Sequence, residues 1–331
     1  MRTPYCVIMA GGIGSRFWPM STEETPKQFL DFLGTGESLI QQTYKRVRRI
    51  FAPENIIVVT HANYRLQSIH HLPELPESNI ILEPLRRNTA PCIAYAALKI
   101  KKRDPKANIF ITPADHLISD EDTFEAQIRK GLEKTEDSDC FVTIGIKPHK
   151  PETGYGYIQY DEMRSEGDVY AVKAFTEKPD IEHAKLFIES GDFLWNAGMF
   201  IWNIDALSAG LDKYLPDLMS TLGRAWNDLD TKYESDAVSK VYAECDNISI
   251  DYGLMERADK VCVIPTVMGW SDLGNWGAVY ELSDKDEDEL EEASTSAGAG
   301  AYMTPRAFGK ADDDIVEVLG YKRVQEAMDN K

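Results

Sequence analysis

The sequence predicts an α/β protein with a mostly parallel sheet flanked by helices, an inserted α+β lobe and a short, atypical C-terminal tail. Two observations lead to this fold class. Short β-branched apolar runs alternate with helix-period segments over the first 145 residues, and hairpin-like strands replace that pattern after Gly154. Strands that are apolar throughout and alternate with helices are typical of a parallel sheet covered on both faces.

The first part of the chain supplies the expected parallel strands. Five apolar runs have strand length, at residues 5–10, 56–60, 79–83, 108–112 and 140–145. The carboxyl ends of parallel strands meet at one edge of a sheet, so the loops after these strands are expected to form a single ligand-binding rim. These loops begin at Gly11, Pro84 and Pro113.

Helix signals lie between these runs. Ser38 and Gln41 have the spacing of a capping box, and apolar residues follow them at helical intervals. Thr89 can cap a second helix that has Pro91 in its first turn, and residues 124–132 indicate a third helix.

The second part of the chain indicates a lobe with its own strands and helices. A hairpin is expected at residues 156–160 and 169–176, followed by a helix after Asp180 and a strand near residues 199–202. Helices continue to about residue 257, and residues 260–267 return as a strand. This lobe is expected to lie over the rim.

Length and composition exclude several classes of protein. A chain of 331 residues with 43% hydrophobic and 27% charged residues is neither fibrous nor mostly unfolded. No uninterrupted apolar run approaches the ~20 residues of a membrane span, so neither secretion nor membrane insertion is expected. The five cysteines form no C-x-x-C pair, which predicts reduced core residues in a cytoplasmic protein.

The charge distribution separates two kinds of polyanionic partner. A net charge of -19 argues against a nucleic-acid polymer. Residues 1–115 nevertheless hold 15 basic and 10 acidic residues, a balance that suits a small polyanion such as a nucleotide. The basic runs at residues 45–49 and 99–103 are equally consistent with solvated helix faces.

A glycine-rich turn follows the first predicted strand, with the order Ala10-Gly11-Gly12-Ile13-Gly14-Ser15-Arg16. Backbone N–H groups in such a turn can point at phosphate oxygens, and Arg16 and Lys27 can neutralise them. It is neither a P-loop nor a dinucleotide fingerprint, because Phe17 stands where a third glycine belongs. Taken alone, such a turn more often needs glycine only for its conformation.

The longer string of residues 11–19, followed by Pro26-Lys27-Gln28, resembles the signature of the sugar-phosphate nucleotidylyltransferases, specifically the mannose-1-phosphate guanylyltransferase branch. Seven further blocks are similar to that family and occur in the same order, at residues 83–91, 113–116, 153–158, 175–179, 195–200, 249–252 and 270–276. The resemblance covers residues 5 to about 282 and implies a Rossmann-like nucleotidyltransferase fold.

The resemblance also implies the site residues. It assigns nucleotide binding to Ala10, Gly11, Gly12, Gly14, Ser15, Arg16, Lys27, Glu83, Asn88, Thr89 and Asp115. It assigns the sugar phosphate to Gly156, Glu177, Lys178, Asn196 and Asp272, and Mg²⁺ to Asp115 and Asp272. The implied catalytic residues are Arg16, Lys27, Asp115, Lys178 and Asp272. Without the resemblance, the sequence around Asp115 is more typical of a helix or turn cap, and that around Lys178 is more typical of the end of a surface strand.

The implied reaction is transfer of GMP from GTP to α-D-mannose 1-phosphate, which gives GDP-mannose and pyrophosphate. Two alternatives stay open: a related transferase for another base or sugar, and a non-catalytic regulator that binds a nucleotide sugar. A bifunctional protein with an added isomerase domain is not expected at this length.

The domain prediction follows the same resemblance. Residues 1–282 are expected to form the transferase domain, with 1–150 mainly for the nucleotide and 151–282 mainly for the sugar phosphate. Residues 283–331 are expected to be an acidic linker and tail, because residues 281–292 contain eight acids and one lysine. The apolar residues of the tail leave a homodimer open.

Overall fold

The computed structural model describes residues 2–274 as an alternation of strands and helices. The strands are β1 Pro4–Ala10, β2 Ile56–His61, β3 Ile80–Glu83, β4 Asn108–Pro113, β5 Leu117–Ile118, β6 Phe141–Ile146, β7 Gly156–Glu166, β8 Val169–Glu177, β9 Phe193–Asn203, β10 Val261–Thr266 and β11 Trp270–Ser271. The helices are α1 Leu39–Arg48, α2 Arg65–His71, α3 Thr89–Arg103, α4 Glu121–Glu136, α5 Ile181–Ser190, α6 Ile204–Tyr214, α7 Pro216–Gly223 and α8 Glu234–Glu244, followed by a π-helical turn at Asp251–Met255.

The chain divides into two compact units. The first, called the sheet unit here, comprises residues 1–11, 43–114 and 118–270. The second, the loop unit, comprises residues 12–42 and 115–117 and, within the described residues, 271–274. The predicted tail at residues 283–331 lies outside the described residues. The expected division near residue 150 stays a prediction.

One nine-stranded sheet organises the sheet unit, with the strand order β3-β2-β1-β4-β9-β6-β10-β8-β7. Strands β3, β2, β1 and β4 are parallel, as the sequence predicts, so their carboxyl ends lie at one edge. The α/β fold class is therefore confirmed, but the sheet is mixed rather than mostly parallel, because β9 runs antiparallel between β4 and β6 and the pairings of β7 and β8 are also antiparallel. Strand β9 fits this central position because its residues are largely buried.

The predicted hairpin of β7 and β8 joins the far end of the same sheet. Strand β7 pairs with both β8 and β9, and both pairings are antiparallel. The register places Gly156 opposite Glu177, and Tyr157 opposite Trp195. Three residues that are distant in sequence, Gly156, Glu177 and Asn196, are thereby brought close together.

The helix ends follow local capping chemistry. The capping box before α1 is confirmed, since the Ser38 backbone N–H donates to Gln41 Oε1 at 2.9 Å. Helix α3 is capped by Asn88 rather than by Thr89, because the Thr89 backbone N–H donates to Asn88 Oδ1 at 2.9 Å. The Thr89 hydroxyl instead accepts a hydrogen bond from the Ile250 backbone. The prediction that Thr89 is the cap was wrong by one residue.

The core of the sheet unit packs around α3. This helix is buried from Ala90 to Ile100 by a run of mainly small and aliphatic side chains. Such small side chains let α3 pack closely against the sheet on one side and helices α6 and α7 on the other. Within residues 2–274, no helix combines the length and the apolar character that crossing a bilayer requires.

The cysteines differ from the prediction at one pair. Cys140 and Cys262 form a disulfide, whereas Cys6, Cys92 and Cys245 are free and buried. Cys140 immediately precedes β6, and Cys262 lies in its parallel neighbour β10, so the two Cα atoms are 6.4 Å apart. The prediction that all five are reduced is therefore wrong for this pair, because only the strand pairing reveals their proximity.

Thiol counting tests the disulfide directly. We expect three thiols in the denatured, unreduced protein and five after reduction, because the pair links two of the five cysteines. Replacing Cys140 with Ser should lower the free energy of unfolding by about 2–4 kcal/mol, because the bond closes a long loop. The substitution should have little effect when both proteins are compared under reducing conditions. Five thiols before reduction would contradict the expectation.

Candidate active site

The edge formed by β1 and β3 in the sheet unit carries the first part of the candidate site. Gly11 follows β1, and Glu83 is the last residue of β3, where its side chain is buried with 5% exposure. A Cβ atom at Gly11 would lie 3.3 Å from Glu83 Oε2. Glycine at this position therefore leaves room for the carboxyl group beneath the turn.

The surroundings of Glu83 favour its protonated form. Burial raises the pKa of Glu83 to about 7, although the Tyr242 hydroxyl and the nearby charge of Arg86 act in the opposite direction. The Tyr242 hydroxyl lies 3.2 Å from Glu83 Oε1. Glu83 thus titrates near neutral pH, a range in which a small change of environment alters its charge.

Two other residues that were predicted to bind the nucleotide make hydrogen bonds that stabilise the backbone of this unit. Asn88 is exposed, adopts a φ of 68° and caps α3 with its amide oxygen. The Ala10 carbonyl accepts a hydrogen bond from the buried Thr60 hydroxyl at 2.9 Å. A non-glycine residue in the left-handed region is uncommon, and here the cap bond of Asn88 maintains it.

The antiparallel strands of the sheet unit gather the predicted sugar-phosphate residues. Gly156 is buried, and a Cβ atom there would collide with Glu177 Oε2. The Asn196 amide nitrogen donates to Asp251 Oδ1 at 2.7 Å, and its amide oxygen accepts from the Gly198 backbone at 3.1 Å. These two bonds fix the orientation of the Asn196 amide group.

Asp251 is a member of this cluster whose role the sequence did not reveal. Burial and the neighbouring Glu177 charge raise the pKa of Asp251 to about 6, against the hydrogen bond from Asn196. The residue lies in one of the blocks that resemble the family, at residues 249–252, but nothing in the block distinguishes Asp251 from a helix cap.

Lys178 ends the cluster with an exposed positive charge. Its side chain is 57% exposed and forms an ion pair with Glu177. Its backbone has a φ of 48° and donates to the Tyr155 carbonyl at 3.2 Å. Holding a lysine in this conformation costs roughly 1–2 kcal/mol, which is typical of residues placed for function rather than for stability.

The loop unit contains a second group of predicted residues, centred on Lys27. The Lys27 side chain is only 5% exposed, and its ammonium group lies 3.0 Å from Asp115 Oδ2 and 2.6 Å from the Asp272 carbonyl. It also lies over the ring of Phe17, at 5.4 Å from the centroid. A lysine ammonium has three N–H donors, so these two contacts leave one donor for a further acceptor within the part of the chain that the structure describes.

The carboxyl group of Asp115 is held ionised by this arrangement. Burial opposes ionisation, but the charges of Lys27 and His116 outweigh it and lower the pKa of Asp115 below its usual value. Its side chain is still 33% exposed, so it can meet a ligand. Asp272 Oδ1 accepts a hydrogen bond from the Gly274 backbone at 2.7 Å.

The glycine turn of the loop unit is shaped around Lys27. Gly14 has a φ of 72°, and a Cβ atom there would collide with the Lys27 side chain. Ser15 and Arg16 follow in a short 3-10 turn, and Arg16 Nη1 donates to the Gly274 carbonyl at 3.1 Å. Both side chains are exposed, and so is the backbone at Gly12.

The structure thus gathers the predicted residues into separate groups. In the sheet unit, Gly156, Glu177, Lys178 and Asn196 are close together, and Glu83 lies below Gly11. In the loop unit, Arg16, Lys27, Asp115 and Asp272 belong to one network of contacts. Residues 275 and 276 of the last predicted block lie outside the described residues.

The chain is similar to several known proteins. The nucleotidyl transferase family matches residues 5–289. A mannose-1-phosphate guanylyltransferase of Klebsiella pneumoniae is 36% identical over 325 residues, and one of Escherichia coli K12 is 39% identical over 333 residues. Each match covers 96% of this chain and 67% of the relative, so these relatives are longer than the present chain.

Two solved structures are also similar. A Thermus thermophilus protein described as a mannose-1-phosphate geranyltransferase is 31% identical, with a TM-score of 0.77, covering 86% of this chain and 80% of its own. A Helicobacter pylori protein described as a mannose-6-phosphate isomerase is 27% identical, with a TM-score of 0.67 and coverages of 81% and 99%.

The raised pKa of Glu83 predicts a pH-dependent effect on stability. An acid whose pKa is raised by folding stabilises the folded state most at pH values below its pKa in the unfolded chain. This stabilisation is lost as the pH rises towards the folded-state pKa of about 7. Glu83→Gln removes this loss while keeping the shape of the side chain. The free energy of unfolding of Glu83→Gln minus that of the wild type should therefore increase by about 1–3 kcal/mol when the pH is raised from 5 to 8.

Denaturant unfolding at both pH values measures this effect. Glu189→Gln is the matched control, because Glu189 is exposed on α5. If wild type and Glu83→Gln show the same pH dependence, the described environment of Glu83 is wrong.

Proposed function

The chain belongs to the nucleotidyl transferase family, and from this we propose that it transfers GMP from GTP to α-D-mannose 1-phosphate. The observation that carries the proposal is the identity of 36–39% over 96% of the chain with relatives named mannose-1-phosphate guanylyltransferase. The two residue groups described above supply roles for this reaction.

The sugar phosphate can act as its own nucleophile. A phosphate monoester has a second pKa of about 6, so at neutral pH it is largely dianionic and needs no general base. One of its oxygens forms a bond to the α-phosphorus of GTP, and the bond from that phosphorus to the β-phosphate oxygen breaks. The products are GDP-mannose and pyrophosphate. The protein then contributes alignment and charge neutralisation.

The loop unit is suited to the triphosphate. The backbone at Gly12, Gly14 and Ser15 offers N–H groups, and Arg16 is exposed beside them. Lys27 keeps a donor beyond its contacts with Asp115 and Asp272 and adds positive charge. In this proposal, these residues hold the phosphates and orient the α-phosphorus.

Asp115 and Asp272 also fit the proposed Mg²⁺. Magnesium is usually held by one or two carboxylates together with substrate phosphates and waters, so a set of three protein ligands is not required. Asp115 is ionised and partly exposed, and Lys27 binds both aspartate segments. When bound, the metal would supply charge neutralisation at the phosphate oxygens.

The sheet unit is suited to the base and the sugar. Glu83 offers an acceptor for the N–H groups on the Watson–Crick edge of guanine, while Asn88 and Thr89 lie just beyond at the start of α3. Glu177 can accept hydrogen bonds from sugar hydroxyls, and Asn196 presents a fixed N–H donor. Lys178 offers a charge for the sugar phosphate, and Gly156 lies against Glu177.

A substrate panel separates this proposal from its alternatives. Pyrophosphate release is measured with GTP or ATP and with mannose 1-phosphate or glucose 1-phosphate, in the presence and absence of Mg²⁺. A preference for another pair favours a related transferase, and binding without pyrophosphate release favours a regulator. Isomerisation of mannose 6-phosphate is also assayed, because one similar structure is described as a mannose-6-phosphate isomerase.

The proposal includes a cytoplasmic location, and it leaves the choice between a monomer and a homodimer to experiment. Nucleoside triphosphates are cytoplasmic metabolites, which supports that location. The disulfide of Cys140 and Cys262 is unusual there, and the thiol count above addresses it. Light scattering of the full chain measures the oligomeric state.

The two aspartates should be essential for turnover. Asp115→Asn and Asp272→Asn should each lower kcat by about two orders of magnitude or more, because each removes a carboxylate that would hold the Mg²⁺ against the phosphates. Asp212→Asn on the exposed face of α6 is the control. Circular dichroism should show an unchanged fold. Turnover near the wild-type value in either variant would remove that residue from the mechanism.

The two lysines should have separable effects. Lys178→Ala should mainly raise KM for mannose 1-phosphate, whereas Lys27→Ala should weaken GTP binding, because the lysines belong to different groups. Lys185→Ala, an exposed lysine of α5, controls for the loss of surface charge. Calorimetry with GTP and steady-state kinetics measure the two effects. An equal loss of GTP affinity in both variants would contradict the separation.

A further inference from the structure

Tyr242 of α8 is a buried residue that the reaction described above does not use. Its side chain has 0% exposure, and its ring packs edge-on against Tyr95 of α3 at 5.8 Å. The hydroxyl lies 3.2 Å from Glu83 Oε1 and 3.1 Å from the Pro91 carbonyl oxygen. A phenol carries one proton, so it can donate fully to only one of these two acceptors.

This geometry suits both proton states of Glu83. When Glu83 is ionised, the Tyr242 hydroxyl can donate to the carboxylate. When Glu83 is protonated, the carboxyl group can donate to the phenol oxygen while the phenol donates to Pro91. A buried polar group without a partner costs about 1–3 kcal/mol, and this arrangement avoids that cost in either state. A hydrogen bond to a charged oxygen is stronger than one to a neutral oxygen, so the Tyr242 hydroxyl tolerates protonated Glu83 but favours the ionised form.

Helix α8 is anchored at both ends, which fixes the position of Tyr242. Near its start, Glu234 accepts hydrogen bonds from Tyr95 at 2.5 Å and from Lys99 at 2.6 Å. At its end, Arg87 donates to the carbonyls of Tyr242 and Ala243, at 3.3 and 3.0 Å. Arg87 lies only four residues after Glu83, so the same segment carries both the carboxyl group and the helix anchor.

The other groups around Glu83 do not substitute for Tyr242. Cys92 of α3 is buried, and burial together with the Glu83 charge raises its pKa well above the usual value, so the thiol stays neutral. Tyr95 also stays neutral, because burial and Glu234 raise its pKa. Arg86 adds a nearby positive charge but donates to the Tyr64 hydroxyl and the Gly11 carbonyl.

We propose that Tyr242 is a positioning residue for base selection: it holds the Glu83 carboxylate in the ionised, acceptor form that guanine requires. This inference rests on the proposed function, because it assumes that Glu83 faces the base of GTP. Guanine presents N–H donors at the edge where adenine presents an acceptor, so loss of the ionised carboxylate should reduce the preference for GTP.

The pH dependence of GTP selectivity tests the proposal. The ratio of kcat/KM for GTP to that for ATP is measured from pH 5.5 to 9, because both nucleotides carry the same triphosphate and its ionisation cancels. In the wild type, the ratio should rise with a midpoint near the Glu83 pKa of about 7. Tyr242→Phe keeps the ring but removes the donor, and it should move this midpoint upward by about one unit.

The expected size of the effect at pH 7 follows from the ionised fraction. A carboxyl group whose pKa moves from about 7 to about 8 is ionised in about one tenth of the molecules instead of half, so selectivity should fall about fivefold. Tyr44→Phe removes the hydroxyl of a buried tyrosine on α1 that makes no described hydrogen bond to Glu83 or to α8, and it should leave the midpoint unchanged. In a Glu83→Gln background, Tyr242→Phe should cause no further change in selectivity.

A second change at the same position keeps the test possible if Tyr242→Phe does not fold. Site-specific replacement of Tyr242 by 3-fluorotyrosine keeps the hydroxyl and strengthens it as a donor, so the midpoint should move downward. An active wild type whose midpoint is unaffected by both changes at residue 242 would overturn the role of Tyr242 alone. A wild type that releases no pyrophosphate from GTP would overturn the proposed function itself, and the inference with it.

Discussion

Parallel pairing of β1 with β2 and β4 is the constraint on which the candidate site depends. Because three successive strand pairs run in the same direction, the chain leaves each strand at the same edge of the sheet. Gly11 follows β1 there, and Glu83 ends β3 two strands away. A reversal of any one of these strands would carry its loop to the opposite edge, whatever residues the loop contained.

Carboxyl groups packed against glycine recur in the molecule. A Cβ atom would lie 3.3 Å from Glu83 at Gly11 and 2.6 Å from Asp272 at Gly274, and it would collide with Glu177 at Gly156. In each case the missing side chain leaves space in which an oxygen atom can sit against the backbone. Replacement of these glycines by larger residues would therefore displace the neighbouring carboxyl groups first.

The buried ionisable groups of the candidate site have dedicated partners. Lys27 has Asp115, Asp251 has Asn196 and Glu83 has Tyr242. Burial of an unpaired charge would cost several kcal/mol, whereas a paired or hydrogen-bonded group can be kept near its titration point. The pKa values of about 7 for Glu83 and about 6 for Asp251 show this balance, in which burial and partner act in opposite directions.

The strand and helix segments can be predicted from the sequence, because apolar periodicity and capping residues are local signals. The sequence predicted the runs that became β1, β2, β3 and β4, and the capping box of Ser38. It also indicated the residues of the candidate site, because their order along the chain resembles a family. It could not separate Asn88 from Thr89 as the cap of α3, since both are good capping residues and tertiary contacts decided between them.

Contacts between residues that are distant in sequence depend on the order of the strands and the packing of the helices. The insertion of β9 between β4 and β6 brings Asn196 close to Gly156 and Glu177, and the pairing of β6 with β10 brings Cys140 close to Cys262. Tyr242 carries no sequence signal, because a tyrosine on an amphipathic helix reads as an ordinary core residue. Its contact with Glu83 depends on strand order and helix packing across 159 positions of the chain, which no local pattern encodes.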